Sequence, residues 1–411
     1  MRRRDGLIVL GLLLAPVTSL RVWKVGPAEA LLLLWAILEL PALLKLKLNS
    51  LQLTFWMGFL ASILLGTAFG SIFYASESEP SGVATYVYLM FVALSLYAGL
   101  HRRSLSEIEA LLTVSAVTST LFFTVLLGYS EYASPFIGSI PLTYADLRFS
   151  GGADNPHQLA VLMGATLFIH SRSFVRAHTL RARLVWFATV VCALTVGVAT
   201  RSSTWVMAVA LTTIFAVLAG LSRRLPDPRG RRLASLWLVA LLVFAVAMFS
   251  NSVFAGVWRW IESDPNGLGR LSIFASIGES LKKSALFGLG PGVHALGGTV
   301  EYHNTYLEIL AMSGLVGLMV FVWYAYRQFR LVSFDRTLVL IIAPLYLYGL
   351  AGFALRRLPY WIITMMVVVI AEKMREGARH SAQKGIVGHE TLQTPGLRPN
   401  MVRELSVCRG R

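Results

Sequence analysis

The sequence predicts an all-α polytopic membrane protein with about 12 transmembrane helices. Three observations predict it. Apolar residues make up 56% of the 411 residues and charged residues only 14%, about half the roughly 25% usual in soluble chains. Mean hydropathy is +0.65. The charges, 37 Lys+Arg against 21 Asp+Glu for a net +16, fall in short clusters between apolar runs long enough to span a bilayer. The pattern excludes a soluble globular domain, a disordered chain and a nucleic-acid binder, although a basic balance alone would suggest the last. Two cysteines, Cys192 and Cys408, cannot build a disulfide framework, and no Cys/His spacing suits zinc.

A spanning helix needs about 20 mostly apolar residues. The first candidate, 6–22, follows Arg2, Arg3 and Arg4 and also looks like a signal peptide. Pro16, Val17 and Leu20 leave no small-x-small cleavage site, so a retained anchor is expected. Segments 26–44, 51–74, 83–100 and 108–128 follow, each a nearly unbroken apolar run. The sixth, 157–171, is short and opens after the turn signal Asn155-Pro156. Only a polar hairpin around Arg201 separates 184–200 from 203–221. Segment 234–255 precedes the largest stretch outside the membrane, about 256–302, within which 271–284 reads as a short amphipathic helix on the membrane surface. Segments 303–326, 337–355 and a borderline 358–372 complete the set. Residues 1–372 then form one transmembrane domain. The polar, basic residues 373–411, with Gly377, Gly385, Gly388, Pro395 and Pro399, read as a poorly ordered cytoplasmic tail.

Charge sets the orientation. With the N-terminus inside and the spans alternating, Arg21, Lys24, Arg148, Arg201, Arg259, Arg270, Lys282, Lys283, Arg356 and Arg357 fall outside, and the other 27 of the 37 basic residues fall inside. That split follows the positive-inside rule and puts both termini in the cytoplasm. Two outer segments, about 129–156 and about 256–302, exceed ordinary loop length, and long loops are usually functional.

Outer positive charge is scarce, so each outer arginine is informative. Arg201 sits in the hairpin Thr200-Arg201-Ser202-Ser203-Thr204. It reads either as a snorkelling anchor or as an anion clamp, since guanidinium binds phosphate bidentately. Arg270, after Asn266-Gly267-Leu268-Gly269, reads as the edge of the amphipathic helix or as a second phosphate clamp. His303, in Tyr302-His303-Asn304-Thr305-Tyr306-Leu307-Glu308, opens the tenth span as an interfacial packing residue or a general base. Asn304 is a reasonable N-cap, and Glu308 is an intramembrane acid for which pairing with an arginine is the preferred role. Gly314 and Gly317 read as small residues that let another helix pack closely. Gly288-Leu289-Gly290-Pro291-Gly292 is a turn, not a dinucleotide fingerprint. Arg148, Asn155 and His157, from the other long outer segment, are loop residues or a third contribution to a site. No P-loop, Asp-x-Asp or metal-ligand cluster is legible, so neither cofactor nor metal is expected.

These stretches resemble the O-antigen ligase and polysaccharide polymerase superfamily. The resemblance rests on Arg148 to Ala160, Thr200-Arg201-Ser202, Arg270 followed by Leu286 to Gly292, and His303 to Glu308 leading to Gly314-x-x-Gly317, in family order. His157 stands where the family commonly has Asn, and Thr200 where it commonly has Ser. The resemblance implies a GT-C-like glycosyltransferase of the bacterial inner membrane, with a large periplasmic loop containing short helices. It would move a glycan, with inversion and without metal or nucleotide, from undecaprenyl diphosphate to lipid A–core oligosaccharide. Arg201 and Arg270 would hold the diphosphate, His303 would activate the acceptor, and Arg148, Asn155, Tyr302, Asn304 and Glu308 would support them. The implied partners are the lipid-linked donor, the lipid A–core acceptor and membrane lipids, with no nucleic acid. A polymerase joining lipid-linked repeats is the alternative. A lipid-linked sugar transporter is a more distant one, because the ionisable residues sit at the outer rim and no inverted repeat is visible.

Overall fold

The computed structural model describes residues 4–21, 25–46, 50–74, 80–144, 148–221, 277–292, 302, 304–350 and 352–389. Helices dominate. In order they are α1 (Asp5–Leu14), α2 (Pro27–Leu38), α3 (Leu40–Leu43), α4 (Leu51–Tyr74), α5 (Pro80–His101), α6 (Leu105–Tyr132), α7 (Pro156–Arg176), α8 (Leu180–Ala199) and α9 (Ser203–Leu221). A helical stretch at 277–284 is α10. Then come α11 (Thr305–Val332), α12 (Arg336–Tyr348) and α13 (Leu358–His389). The predicted span at 234–255 lies outside the described residues, as do Arg270 and His303.

Five helices are long and apolar enough to cross a membrane: α4, α6, α8, α11 and the Gly82–His101 part of α5. At 1.5 Å per residue the 24 residues of α4 reach roughly 36 Å, whereas the 10 of α1 reach only roughly 15 Å. The chain is thus an integral membrane protein of helical type. The most exposed of the five long helices is α8, on which Leu184, Phe187, Val191, Leu194 and Val198 form an exposed apolar stripe at helical spacing, as a lipid-facing helix requires.

Two helices that look weakest by hydropathy are the most buried. On α7 every residue from Gln158 to His170 is buried, and on α13 the run from Leu358 to Ala371 is buried throughout. A helix wrapped by other helices needs no continuous lipid-facing surface, so α7 can carry Gln158, Thr166 and His170. His170 Nε2 lies 2.9 Å from Thr120 Oγ1 of α6. Around α13 sits an aromatic core. Trp361 meets Trp56 of α4 with ring centroids 4.5 Å apart, Phe55 stacks on Tyr324 of α11 at 3.8 Å, and Tyr346 of α12 meets Tyr360 at 5.6 Å.

Polar clusters mark the two ends of the bundle. At the far end of α7, Arg172 and Arg176 reach Glu109 of α6 at 2.7 and 3.0 Å and Asp335, ahead of α12, at 3.3 and 3.1 Å. Arg103, between α5 and α6, pairs with Asp5 of α1 and lies 3.7 Å from Glu39, which follows α2. The opposite ends of α7 and α12 meet where Tyr348 Oη donates to the His157 carbonyl at 3.0 Å.

The fold is of the expected helical class, with local additions. The segment between α6 and α7 carries two short antiparallel ribbons, β1 (Phe136–Ile137) with β2 (Ile140–Pro141), and β3 (Thr143–Tyr144) with β4 (Arg148–Phe149). The last helix continues to His389, past residue 372 where the span was expected to end. The chain divides there into two units, Met1–Ala371 and Glu372–Arg411. Gly314 serves no helix–helix contact. It breaks α11 with φ 62° and ψ −163°, and a Cβ there would overlap the backbone of Leu286 and Phe287. Gly317 does as expected, since its Cβ would crowd the Ser62 hydroxyl of α4.

Candidate functional site

The hairpin joining α8 to α9 is set by packing beneath it. Gly197, in the last turn of α8, faces the indole of Trp205 so closely that a Cβ would overlap the ring. The two helices therefore turn within a few residues. Thr200 N–H donates to Gly197 and Val196, and Arg201 N–H to Val198 at 2.9 Å. Ser202 Oγ accepts from Trp205 N–H at 3.3 Å, an N-cap geometry that opens α9. Among the described residues Arg201 is the non-glycine with positive φ, 47°. That conformation costs a branched-Cβ-free L-residue about 1–2 kcal/mol. Its side chain is exposed, while Thr200, Ser202 and Thr204 around it are buried. Arg201 thus stands exposed on a turn whose backbone is strained, and such strain tends to occur at functional sites.

Three further residues converge on this turn. Arg148, on β4, donates Nε–H to the Thr200 carbonyl at 3.1 Å. Asn155 Oδ1 accepts from His157 N–H at 2.9 Å, capping α7 as the sequence suggests. His157 Nδ1 then lies 2.8 Å from Ser202 Oγ. The segment before α7 is clipped from behind as well: Ser19 Oγ donates to the Gly152 carbonyl at 2.7 Å, and Thr18 Oγ1 accepts from Asp154 N–H at 3.0 Å.

The start of α11 forms a second cluster. Asn304 Oδ1 accepts from the N–H groups of Tyr306 and Leu307 at 2.9 and 3.1 Å, and its Nδ2 donates to Leu350 O at 2.6 Å. Thr305 N–H donates to Gly349 O, and Thr305 Oγ1 donates to Gly352 O at 2.9 Å while accepting from Ala354 N–H. Glu308, 2% exposed, receives Arg356 Nη2 at 3.5 Å on one oxygen and Tyr302 N–H at 3.3 Å on the other. The acid is therefore paired, and Tyr302 is held additionally by Ser280 Oγ of α10 at 3.0 Å. Arg356 also lies over the Phe353 ring, 5.0 Å from its centroid.

One short segment ties the clusters together. Tyr348 bonds to His157 of the first cluster, and its neighbour Gly349 bonds to Thr305 of the second. The structure thus brings Arg148, Asn155 and Arg201 into one group, and Tyr302, Asn304 and Glu308 into another. Arg270 and His303 lie outside the described residues. Sequence reasoning missed Arg356 and Tyr348 as site-building groups. The rule that every outer arginine is informative would have singled out Arg356; nothing in the sequence marks Tyr348.

The arrangement defines a membrane-embedded helical protein with two polar, arginine-bearing clusters joined at one end of the bundle. Residues 187–322 match the family model Wzy_C, described as O-antigen ligase. That match supports the O-antigen ligase/polymerase superfamily, a group of membrane glycosyltransferases, and its span contains Arg201, Arg270, His303 and Glu308. No curated protein matches the chain.

Proposed function

We propose that the protein is an O-antigen ligase. It would transfer a glycan from undecaprenyl diphosphate to lipid A–core oligosaccharide at the periplasmic face of the bacterial inner membrane, within a GT-C-like fold of about twelve spans. The observation that carries this reading is Arg201: an exposed guanidinium held on a strained turn, beside Arg148, inside the segment that matches the O-antigen ligase family. The scarcity of basic residues at this end of the bundle supports a periplasmic site.

The chemistry follows from the donor, which carries its own activation. His303 takes the proton of an acceptor hydroxyl. The hydroxyl oxygen attacks the anomeric carbon, the bond from that carbon to the phosphate oxygen breaks, and its electron pair leaves on undecaprenyl diphosphate. In-line attack inverts the configuration. Arg201 and Arg270 stabilise the charge growing on the diphosphate, where partial exclusion of water strengthens the effect. Glu308, neutralised by Arg356, and Asn304, spent on the helix cap, build the platform behind His303 in the sequence.

The test uses purified full-length protein in lipid with an undecaprenyl-diphosphate-linked glycan, EDTA and no nucleotide, with and without lipid A–core. Glycan on lipid A–core supports the ligase. Longer lipid-linked chains in the absence of that acceptor would move the protein to the polymerases. His303→Ala should abolish transfer in a folded, inserted protein, and normal transfer by that variant would remove the base assignment.

A further inference from the structure

The break in α11 is filled by another part of the chain. In an unbroken helix the N–H groups of Leu315 and Val316 would donate to the carbonyls of Ala311 and Met312, four residues back. Instead Leu315 N–H donates to Ala285 O at 2.9 Å and Val316 N–H to Leu286 O at 3.2 Å. The vacated carbonyls of Ala311 and Met312 accept from Leu289 and Gly290 N–H, both at 2.9 Å. Two helical bonds are exchanged for four bonds to the turn after α10. These four backbone groups are all satisfied again, as a low-dielectric surrounding requires.

Three glycines permit this approach. Gly314, at φ 62° and ψ −163°, occupies a region open essentially to glycine alone. Gly288, at φ 72°, lies against the backbone of Met312, Ser313 and Gly314. Gly66 of α4 closes the far side, where a Cβ would overlap the carbonyl oxygens of Met312 and Phe287. Side chains reinforce the seat: Tyr74 Oη donates to Lys283 O at 2.8 Å, and Phe69 lies 5.8 Å from Phe287.

We propose that Gly66, Gly288 and Gly314 form a backbone splice that holds residues 277–292 in fixed register with the outer half of α11, and that these glycines are positioning residues for glycan transfer. The splice fixes the chain after α10 against the middle of α11, while Ser280 of α10 bonds Tyr302, whose N–H donates to Glu308 near the start of the same helix, so α10 is tied to the second cluster at two points. The assignment to transfer rests on the ligase reading; the splice itself does not.

The first experiment needs no variant. Amide exchange resolved to single residues in the full-length protein in nanodiscs should show Leu289, Gly290, Leu315 and Val316 protected as one group with a common opening rate. Exchange of Leu289 and Gly290 at free-loop rates, with Leu315 and Val316 protected, would overturn the splice. The second experiment compares Gly314→Ala with Gly128→Ala, whose Cβ meets nothing within 4 Å. Alanine at 314 favours the closed helix, so exchange at 289 and 290 should rise at least about tenfold and kcat for transfer should fall by a similar factor, with the donor KM changed less. The Gly128 variant should do neither. Wild-type transfer by a Gly314→Ala protein that has lost this protection would overturn the positioning role. A wild-type protein that transfers no glycan from active donor would sink the ligase reading, while the exchange pattern would still decide the splice.

Discussion

Arg201 joins a cost to a use. Its backbone sits in the left-handed region, which glycine would occupy without strain. Arg201→Gly should therefore leave unfolding stability within about 1 kcal/mol of wild type, because relief of strain offsets glycine's extra unfolded-state entropy, while donor use collapses. A thermal-unfolding series in detergent beside a transfer assay reads both, and a larger loss of stability would show that the guanidinium serves the fold. Arg201→Lys should recover only part of the transfer, because one ammonium cannot reproduce the bidentate fork; full recovery would reduce the role to simple charge attraction. At the other end of the bundle, burial pushes the Asp335 carboxyl up, but hydrogen bonds from Thr337 and the charges of Arg172 and Arg176 outweigh it and hold the group below its ordinary 3.8. A depressed folded value means the unfolded chain takes up the proton first. The stabilisation from ionised Asp335 is then complete above pH 3.8 and disappears as pH falls through the lower folded value. Asp335→Asn keeps the helix cap and removes the charge. It should cost about 1.5–3 kcal/mol at pH 7, with the cost shrinking progressively as pH falls below 3.8, measured by thermal unfolding across that range. An equal penalty across the range would assign the effect to packing.

The α8–α9 hairpin shows how one small residue fixes an element pair. Gly197→Ala drives a methyl group into the Trp205 indole, and overpacking of this kind costs about 1–3 kcal/mol. Because the same turn carries Arg201, the variant should lose stability and donor use together, and unchanged donor affinity would separate the turn from binding. Much of this element was legible: the polar hairpin between two apolar runs and the Asn155 and Asn304 caps follow from local rules, and an acid inside an apolar run calls for an arginine partner, though not for Arg356 in particular. What could not be read was contact between distant segments. The Gly288 to Gly292 turn looked unremarkable because its partner, the break at Gly314, lies in a run whose hydropathy shows no interruption. Tyr348 is one tyrosine among 14, and its bond to His157 exists only once α7 and α12 lie side by side.

Among the described helices, two of the most completely buried are two that hydropathy reads least clearly. The most lipid-exposed of the five long spans, α8, has 22% of its best apolar window buried and reads clearly, whereas α7 and the first half of α13, wrapped on all sides, read as marginal. A scale built on transfer to lipid measures the outer shell best, because only that shell must meet lipid at every turn. The position of α13 has a further consequence, in time rather than in space. Its buried run, Leu358 to Ala371, follows every other described span in the chain, so the ribosome delivers it after the helices that surround it. Until it arrives, Phe55, Trp56, Tyr324 and Tyr346 border a gap at the centre of the nascent bundle. The earlier spans must wait in the bilayer as a loose, incomplete ring. Translation stalled before residue 358 would leave a form suited to recognition by membrane quality control, and closure of the bundle would be timed by the arrival of its last buried helix.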